Sequence, residues 1–474
     1  MNRRQFLASL PAARLAAAAQ PARLPNFIFI LADDLGARDL TPDGNTFHET
    51  PALQRLAGDG VRFTNAYAAC PVCSPTRASI MTGKYPARLK VTDWIAGRRQ
   101  WPTARVITPP NKLQLGLEEI TLAEALKTKG YSTAHVGKWH LGGQGYEPEK
   151  QGFDVNIAGD HRGAPRSFFG PFDMPNFATG SKDDELTERL TAEACSFIAK
   201  QRREQPFFMY FAHYTVHTPI QAREAMTERY RRKLEGKPWP DPVYAAMVES
   251  LDNSVAAVRK TLEESGLARD TVIVFFSDNG GLRYEGGGKR LVTSNAPLRA
   301  GKGHLYEGGI REPLYIHWPG VAKPGRVVDT PVSSVDFFPT LLEMAGMTPP
   351  RPVDGVSLTP LLRGREAPAR DAIYWHYPHY SNQGGVPGGA IRMGDWKLIE
   401  FYEDGRLELF NLKDDPGEAV NLVRKNAQKA REMHTKLRNW RTETNALMPD
   451  PNPNYDPATA DQGLTGAEKP TPPA

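Results

Sequence analysis

Asn26-Phe27-Ile28-Phe29-Ile30-Leu31-Ala32 is followed at once by Asp33-Asp34. An apolar, β-rich run without polar alternation predicts a strand buried on both faces. Three further runs share the pattern, at residues 132–136, 206–211 and 271–276. Each is preceded by a helix-like stretch, at 121–129, 185–200 and 244–265. Strands alternating with helices of this length predict parallel crossover units. The fold class is therefore α/β, with a central, mostly parallel sheet sandwiched by helices.

Beyond about residue 350 the pattern changes. Residues 372–376, 390–401 and 406–412 read as short hairpin strands, followed by a helix over 427–445. That predicts a smaller C-terminal antiparallel sheet with one helix. The boundaries follow as 23–365 for the larger domain and 366–448 for the smaller. Residues 449–474 are Pro-rich and nearly devoid of apolar side chains, which predicts a loose tail.

Composition narrows the function classes. The 474 residues carry 59 Lys+Arg against 54 Asp+Glu, and a net charge of only +5 argues against dedicated nucleic-acid binding. A hydrophobic share of 40% excludes disorder of the whole chain. With 42 Gly and 41 Pro, ordered loops are expected rather than a helical bundle. Three cysteines, Cys70, Cys73 and Cys195, cannot build a disulfide framework. At the N-terminus, Arg3-Arg4-Gln5-Phe6-Leu7 leads into an Ala/Leu-rich stretch. Residues 1–22 read as a twin-arginine signal peptide, which predicts a periplasmic or secreted protein and the twin-arginine export machinery as a partner. Removing Arg3, Arg4 and Arg14 from the net +5 leaves +2. No stretch reaches 18 apolar residues, so no membrane span is expected.

In an open parallel sheet, ligands bind outside the carboxyl ends of the strands. After the first run come Asp33 and Asp34, and after the second Gly137-Lys138-Trp139-His140. His213 and then His217-Thr218-Pro219 follow the third, and Ser277-Asp278-Asn279-Gly280 the fourth. A single aspartate there is an ordinary helix cap. Adjacent carboxylates repel each other and call for a cation. The oxygen-only set Asp33, Asp34, Asp278 and Asn279 suits a hard divalent ion, Ca²⁺ more readily than Zn²⁺. Lys138, Arg77 and Lys302 add positive charge, and such a pocket favours an anionic substrate.

The sharpest motif is Cys73-Ser74-Pro75-Thr76-Arg77-Ala78-Ser79-Ile80-Met81-Thr82-Gly83. Pro75 marks the opening of a helix and puts Cys73 at or just before its N-terminus, where free N–H groups favour negative charge. Arg77 falls one turn on. Cys70-Pro71-Val72-Cys73 taken alone also fits a C-x-x-C redox pair.

The longer segment resembles the C-x-P-x-R signature of type I sulfatases, whose cysteine is oxidised to formylglycine. Gly130-Tyr131-Ser132-Thr133 with Gly137-Lys138-Trp139-His140-Leu141-Gly142 is similar to the second sulfatase signature. Asp33-Asp34, His217-Thr218-Pro219, Asp278-Asn279-Gly280 and Gly301-Lys302-Gly303 resemble the remaining active-site blocks, in family order. The resemblance spans roughly residues 25–445 and implies an alkaline-phosphatase-like fold. It implies one Ca²⁺ on Asp33, Asp34, Asp278 and Asn279, and a formylglycine-generating enzyme as a maturation partner. It also implies a formylglycine nucleophile at residue 73, whose hydrated form Arg77 stabilises. One hydroxyl of that hydrate attacks sulfur, and deprotonation of the other expels sulfate. By the same resemblance, Lys138 and Lys302 hold the sulfate oxygens. His140 assists the deprotonation, and His217 with Lys302 protonates the leaving oxygen.

Family membership does not fix the substrate. Export favours an extracellular one. Trp375-His376-Tyr377-Pro378-His379-Tyr380, then 384–392, is similar to bacterial polysaccharide sulfatases. His376 and His379 are thus candidate substrate-binding residues for a sulfated sugar of galactose or GalNAc type, and Asp160-His161-Arg162-Gly163 is a second candidate for the rim. A packed aromatic loop is the alternative reading of the first stretch. Cys70 reads as packing and Cys195 as core. His48, His135, His317 and His434 read as structural or exposed. The rival activities are a phosphonate or phosphodiester hydrolase of the same superfamily, and an exported redox or carbohydrate-binding protein without turnover.

Overall fold

The computed structural model describes residues 23–174, 176–285, 290–366, 369–460 and 464. The expected signal peptide, 1–22, lies outside these residues, as does nearly all of the chain after 460. Among the described residues the central sheet has nine strands. Eight of them lie in one continuous path: β1 (Asn26–Ala32), β2 (Val61–Tyr67), β3 (Ser132–Gly137), β4 (Val155–Ile157), β5 (Phe207–Ala212), β6 (Thr271–Ser277), β7 (Arg311–His317) and β8 (Arg326–Val328). Their spatial order is β8-β2-β7-β6-β1-β5-β3-β4, and a two-residue strand, Val332–Ser333, pairs beside β2. β1 is central and runs parallel to β5 and β6, while β3 runs parallel to β4 and β5.

All of β1 is buried, and alternation sorts its side chains into two cores. Phe27, Phe29 and Leu31 pack with the helices Leu122–Lys127 and Phe337–Met344. Ile28, Ile30 and Ala32 pack with Pro51–Asp59, Leu186–Ala199 and Pro242–Glu264. Local signals set these helices. Asp241 caps the longest through the N–H groups of Val243 and Tyr244, with Pro242 at the first position. Thr121 and Glu124 form a reciprocal capping box. The expected α/β sandwich is present.

One strand departs from the parallel scheme. β7 runs antiparallel to both β2 and β6. Neither β2 nor β7 shows an unbroken apolar run. Arg62, Thr64 and Asn65 interrupt the first; Arg311, Glu312 and Pro313 open the second, where the register with β2 shifts.

The smaller sheet comprises β9 (Ile373–Tyr377), β10 (Gly388–Met393), β11 (Trp396–Phe401) and β12 (Leu407–Asn411), all antiparallel, with the helix Ala427–Glu443 against it. The run expected at 390–401 is two strands joined by a turn at Gly394 (φ +58°). The two sheets meet through buried charge. Lys397 Nζ sits between Glu307 (3.0 Å) and Glu418 (2.8 Å), all three fully buried, and Tyr67 donates to the same Glu307 at 2.7 Å. Trp375 Nε1 donates to the Ala68 carbonyl at 2.8 Å.

The expected loose tail is a docked strap over its described length. Asp450–Pro451 pairs antiparallel with the short strand Val106–Ile107. Asn452 donates to the carbonyls of Pro102 and Ala104, and Trp101 Nε1 donates to the Ala460 carbonyl. Composition misled here because backbone and amide groups hold this segment, and apolar burial does not.

Candidate active site

The functional side chains gather where the parallel strands end. Asp33 and Asp34 follow β1, Lys138 and His140 follow β3, His217 lies in the loop after β5, and Asp278 and Asn279 follow β6. Cys73 and Arg77 sit on the helix Cys73–Thr82, every residue of which is buried. Cys73 is its first residue, and the preceding Val72 offers no side-chain cap, so the opening N–H groups are free to meet an anion. Pro75 stands third, still within the turn where no N–H is missed.

Two glycines are dictated by close approach. A Cβ on Gly137 (φ +103°) would lie 1.9 Å from the Ala212 carbonyl oxygen, so β3 can turn out to Lys138 only through glycine. A Cβ on Gly303 (φ +83°) would lie 1.9 Å from Ser381 Oγ, which pins the turn carrying Lys302 against the smaller domain. Asp34 (φ +61°) and His140 (φ +56°) adopt the left-handed region without being glycine. Each costs about 1–3 kcal/mol, a strain that marks positions held for function.

Charges interlock at the centre. Lys138 Nζ lies 2.7 Å from Asp33, and Lys302 Nζ lies 2.7 and 2.8 Å from the two oxygens of Asp34. Arg77 Nε donates to Asp278 at 2.9 Å and its Nη1 to the Lys138 carbonyl at 2.8 Å. Asn279 Nδ2 donates to Asp34 at 2.8 Å. Arg77 therefore braces the carboxylates. Burial, reinforced by the Asp278 charge, pushes the Asp33 carboxyl up to about 8. Burial would do the same to Asp34, but Lys302, His217 and Lys138 outweigh it and hold that carboxyl below the usual range.

Asp33 Oδ1 and Asn279 Oδ1 are buried with no hydrogen-bond partner. Two orphaned oxygens beside Asp34 and Asp278 are what a hard cation would satisfy, so the donor set fits the expected ion. The ring of His217 comes to the same place, its Nε2 3.5 Å from Asp34, and Asp33, Asp34 and His217 offer ligand atoms within 4.8 Å of one another. Since His217 Nδ1 faces the Thr218 carbonyl at 2.9 Å, Nδ1 carries the proton and Nε2 presents its lone pair inward.

Cys73 Sγ lies 3.3 Å from His140 Nδ1. His140 Nε2 meets the Ile95 carbonyl and must donate to it, which leaves the Nδ1 lone pair facing residue 73. Burial and the Lys138 charge hold this imidazole well below its usual pKa, so it is neutral and able to take a proton. Burial raises both the Cys73 and the Cys70 thiol, and both cysteines are free. A redox pair needs the opposite shift.

The other expected residues lie differently. His376 is buried with both nitrogens engaged, Nδ1 on the Tyr402 hydroxyl (2.8 Å) and Nε2 on the Leu447 carbonyl (2.9 Å). It offers nothing to a sugar, and the structure corrects that assignment to packing. His379 is likewise buried, with Nε2 2.8 Å from Thr92 Oγ1. We expect His376→Ala to lower stability by about 1–3 kcal/mol, read from the urea midpoint, and to leave KM for sulfate esters unchanged. A raised KM without destabilisation would restore the substrate role. His213 turns away from the cluster, its ring tilted against Phe211 with centroids 4.0 Å apart, and lies 3.3 Å from Ser254 Oγ. Asp160 reaches the cluster by its backbone, accepting from His140 N–H at 3.1 Å, while Arg162 is bound to the Asp160 carboxylate.

Sequence reasoning missed the segment Asp93–Arg98. Ile95 contacts His140 by its carbonyl, and its N–H donates to Ser74 Oγ at 3.1 Å. Backbone groups carry no residue signature, so no motif announced them.

Comparison with known proteins agrees with this geometry. The sulfatase family profile matches residues 25–347, and the profile of the N-sulphoglucosamine sulphohydrolase C-terminal region matches 300–443. A sulfatase of Formosa agariphila is 32% identical over 89% of each chain. The N-acetylgalactosamine-6-sulfatase of Mus musculus is 33% identical over 91% of this chain and 82% of its own. The crystal structure of Ps i-CgsB, also solved in complex with k-i-k-neocarrahexaose, superposes with a TM-score of 0.74 at 29% identity, covering 91% of this chain and 95% of that one. The chain belongs to the sulfatase family and is a sulfuric ester hydrolase.

Proposed function

We propose that the protein hydrolyses the sulfate ester of an O-sulfated sugar of galactose or GalNAc type, using formylglycine made from Cys73 and one Ca²⁺. The observation that carries the chemistry is the placement of residue 73 at a buried helix N-terminus, 3.3 Å from a neutral imidazole and beside Lys138, Lys302 and the carboxylate cluster. The sugar class is supported by the N-acetylgalactosamine-6-sulfatase relatives and by the neocarrahexaose complex of Ps i-CgsB.

Asp33, Asp34, Asp278 and Asn279 would hold the ion, which supplies positive charge against the sulfate oxygens. Formylglycine supplies a hydroxyl nucleophile whose carbon can later release sulfate. Lys138 and Lys302 bind the anionic end of the substrate and offset charge as the S–O bond breaks. His217 with Lys302 protonates the leaving sugar oxygen: Nε2, bare in the resting tautomer, first takes up a proton and then hands it on. His140 takes a proton at Nδ1 from residue 73 during sulfate release. The Arg77 guanidinium keeps Asp33 and Asp278 apart and oriented. Residues 1–22 would direct export by the twin-arginine route to the periplasm or beyond, after a formylglycine-generating enzyme has acted. Among the described residues, no helix is long and apolar enough to cross a membrane.

A panel of sulfate and phosphate monoesters and diesters, with sulfated mono- and disaccharides, tests this reading. Highest kcat/KM is expected on a sulfated galactose or GalNAc unit. A diester preference would overturn it. Chelation by EGTA should abolish turnover and added Ca²⁺ restore it; full activity after exhaustive chelation would remove the ion from the site.

A further inference from the structure

The docked strap reaches the catalytic cluster through the loop that runs from Asp93 to Ile107. Ile95 touches both halves of the machinery, accepting from His140 Nε2 and donating to Ser74 Oγ beside residue 73. The turn that carries Ile95 is wound around Asp93. That buried carboxylate accepts from the Trp94 N–H (2.9 Å), the Arg98 N–H (3.3 Å) and the Tyr377 hydroxyl (3.1 Å). Arg98 also donates to the Ser381 carbonyl at 2.8 Å, and its guanidinium lies 4.6 Å over the Trp101 ring.

From Trp101 onward the loop is held by the strap. Asn452 Nδ2 donates to the Pro102 carbonyl (2.9 Å) and the Ala104 carbonyl (2.6 Å). Trp101 Nε1 donates to Ala460 (2.9 Å), and Thr103 Oγ1 to Thr459 (3.2 Å). Pairing of Asp450–Pro451 with Val106–Ile107 closes the attachment. All of these strap residues lie beyond residue 443, where the matched family profiles end.

We propose that Asn452 is a positioning residue for His140. It pins the loop at two carbonyls, so that Trp101, Arg98 and the Asp93 turn keep the Ile95 carbonyl in line with His140 Nε2. That bond fixes the tautomer and the tilt of the imidazole toward residue 73. The inference rests on the sulfatase reading, in which His140 serves sulfate release.

The test uses the full-length matured enzyme with Asn452→Asp, which keeps the shape but replaces the Nδ2 amide, donor to both carbonyls, by a single carboxylate oxygen facing them. Tyr455→Phe is the control, because it leaves an aromatic ring beneath Arg105. With 4-nitrophenyl sulfate, Asn452→Asp should lower kcat roughly tenfold, as expected when a catalytic group is slightly misplaced. KM should fall in the same proportion, leaving kcat/KM unchanged, because sulfate release becomes the slow half of turnover. Partial unfolding or incomplete maturation would lower kcat at constant KM, and that outcome overturns the proposal. Unchanged kcat and KM overturn it too. Tyr455→Phe should match the parent enzyme. Amide hydrogen exchange over residues 94–98 should accelerate in Asn452→Asp alone, and an unchanged rate there would deny the coupling. This readout needs no turnover, so an enzyme inert toward every sulfate ester would sink the sulfatase reading without deciding the strap.

Discussion

Replacing Cys73 with alanine is expected to abolish turnover, by about 10⁴-fold or more, the scale on which removal of a nucleophile acts. No neighbour can substitute. Among the described residues the other thiols are Cys70, buried with a strongly raised pKa, and Cys195, half-buried on the helix Leu186–Ala199. Cys195→Ala should therefore retain nearly full activity, and equal losses in the two variants would show the wrong cysteine to have been chosen. The companion measurement is the mass of the peptide around residue 73. Conversion of CH₂–SH to CHO lowers it by about 18 Da. An active preparation in which residue 73 is wholly unmodified thiol would contradict the mechanism.

Lys302→Ala should lower kcat by roughly 10²–10³-fold, the effect of removing one preorganised group from a developing anion. Lys302 is nearly buried, and its ammonium lies within 2.8 Å of both Asp34 oxygens. On the proposed mechanism the substitution removes a substrate contact, and it leaves the Asp34 charge without its strongest partner. Arginine should not rescue it. The Gly303 turn is pressed against Ser381, with no room to shift the backbone for a longer, planar head. A loss smaller than threefold in Lys302→Ala, or recovery in Lys302→Arg, would remove Lys302 from the sulfate site.

What the sequence reveals depends on whether the information is carried by side-chain type. Strands buried on both faces announce themselves, so the position of β1 and the identity of the residues after it could be read before any coordinates. β2 and β7 alternate with polar residues or open on them, and only the sheet as a whole defines them as strands. The cluster was legible because carboxylates, lysines and histidines at strand ends have few other reasons to be there. His376 misled for the opposite reason: a histidine in an aromatic stretch reads the same whether its nitrogens are free or spent on Tyr402 and Leu447. The Ile95 carbonyl and the Asn452 amide act on or through backbone groups, which no motif encodes.

The Lys397 ammonium, clasped by Glu307 and Glu418, has a consequence for how the molecule comes apart. Removing one member of a buried ion pair costs about 3–5 kcal/mol, a sizeable share of the stability of an ordinary domain. Glu307 belongs to the larger half and Lys397 to the smaller, and neither reaches water. Pulling the halves apart breaks the Glu307–Lys397 pair and opens the fully buried cluster to water, leaving Lys397 to Glu418 alone and Glu307 to Tyr67 and Arg311. The two sheets should then melt in one cooperative transition, and a chain cut at the seam should yield two insoluble fragments. What looks in the sequence like a boundary between modules should behave thermodynamically as the middle of one.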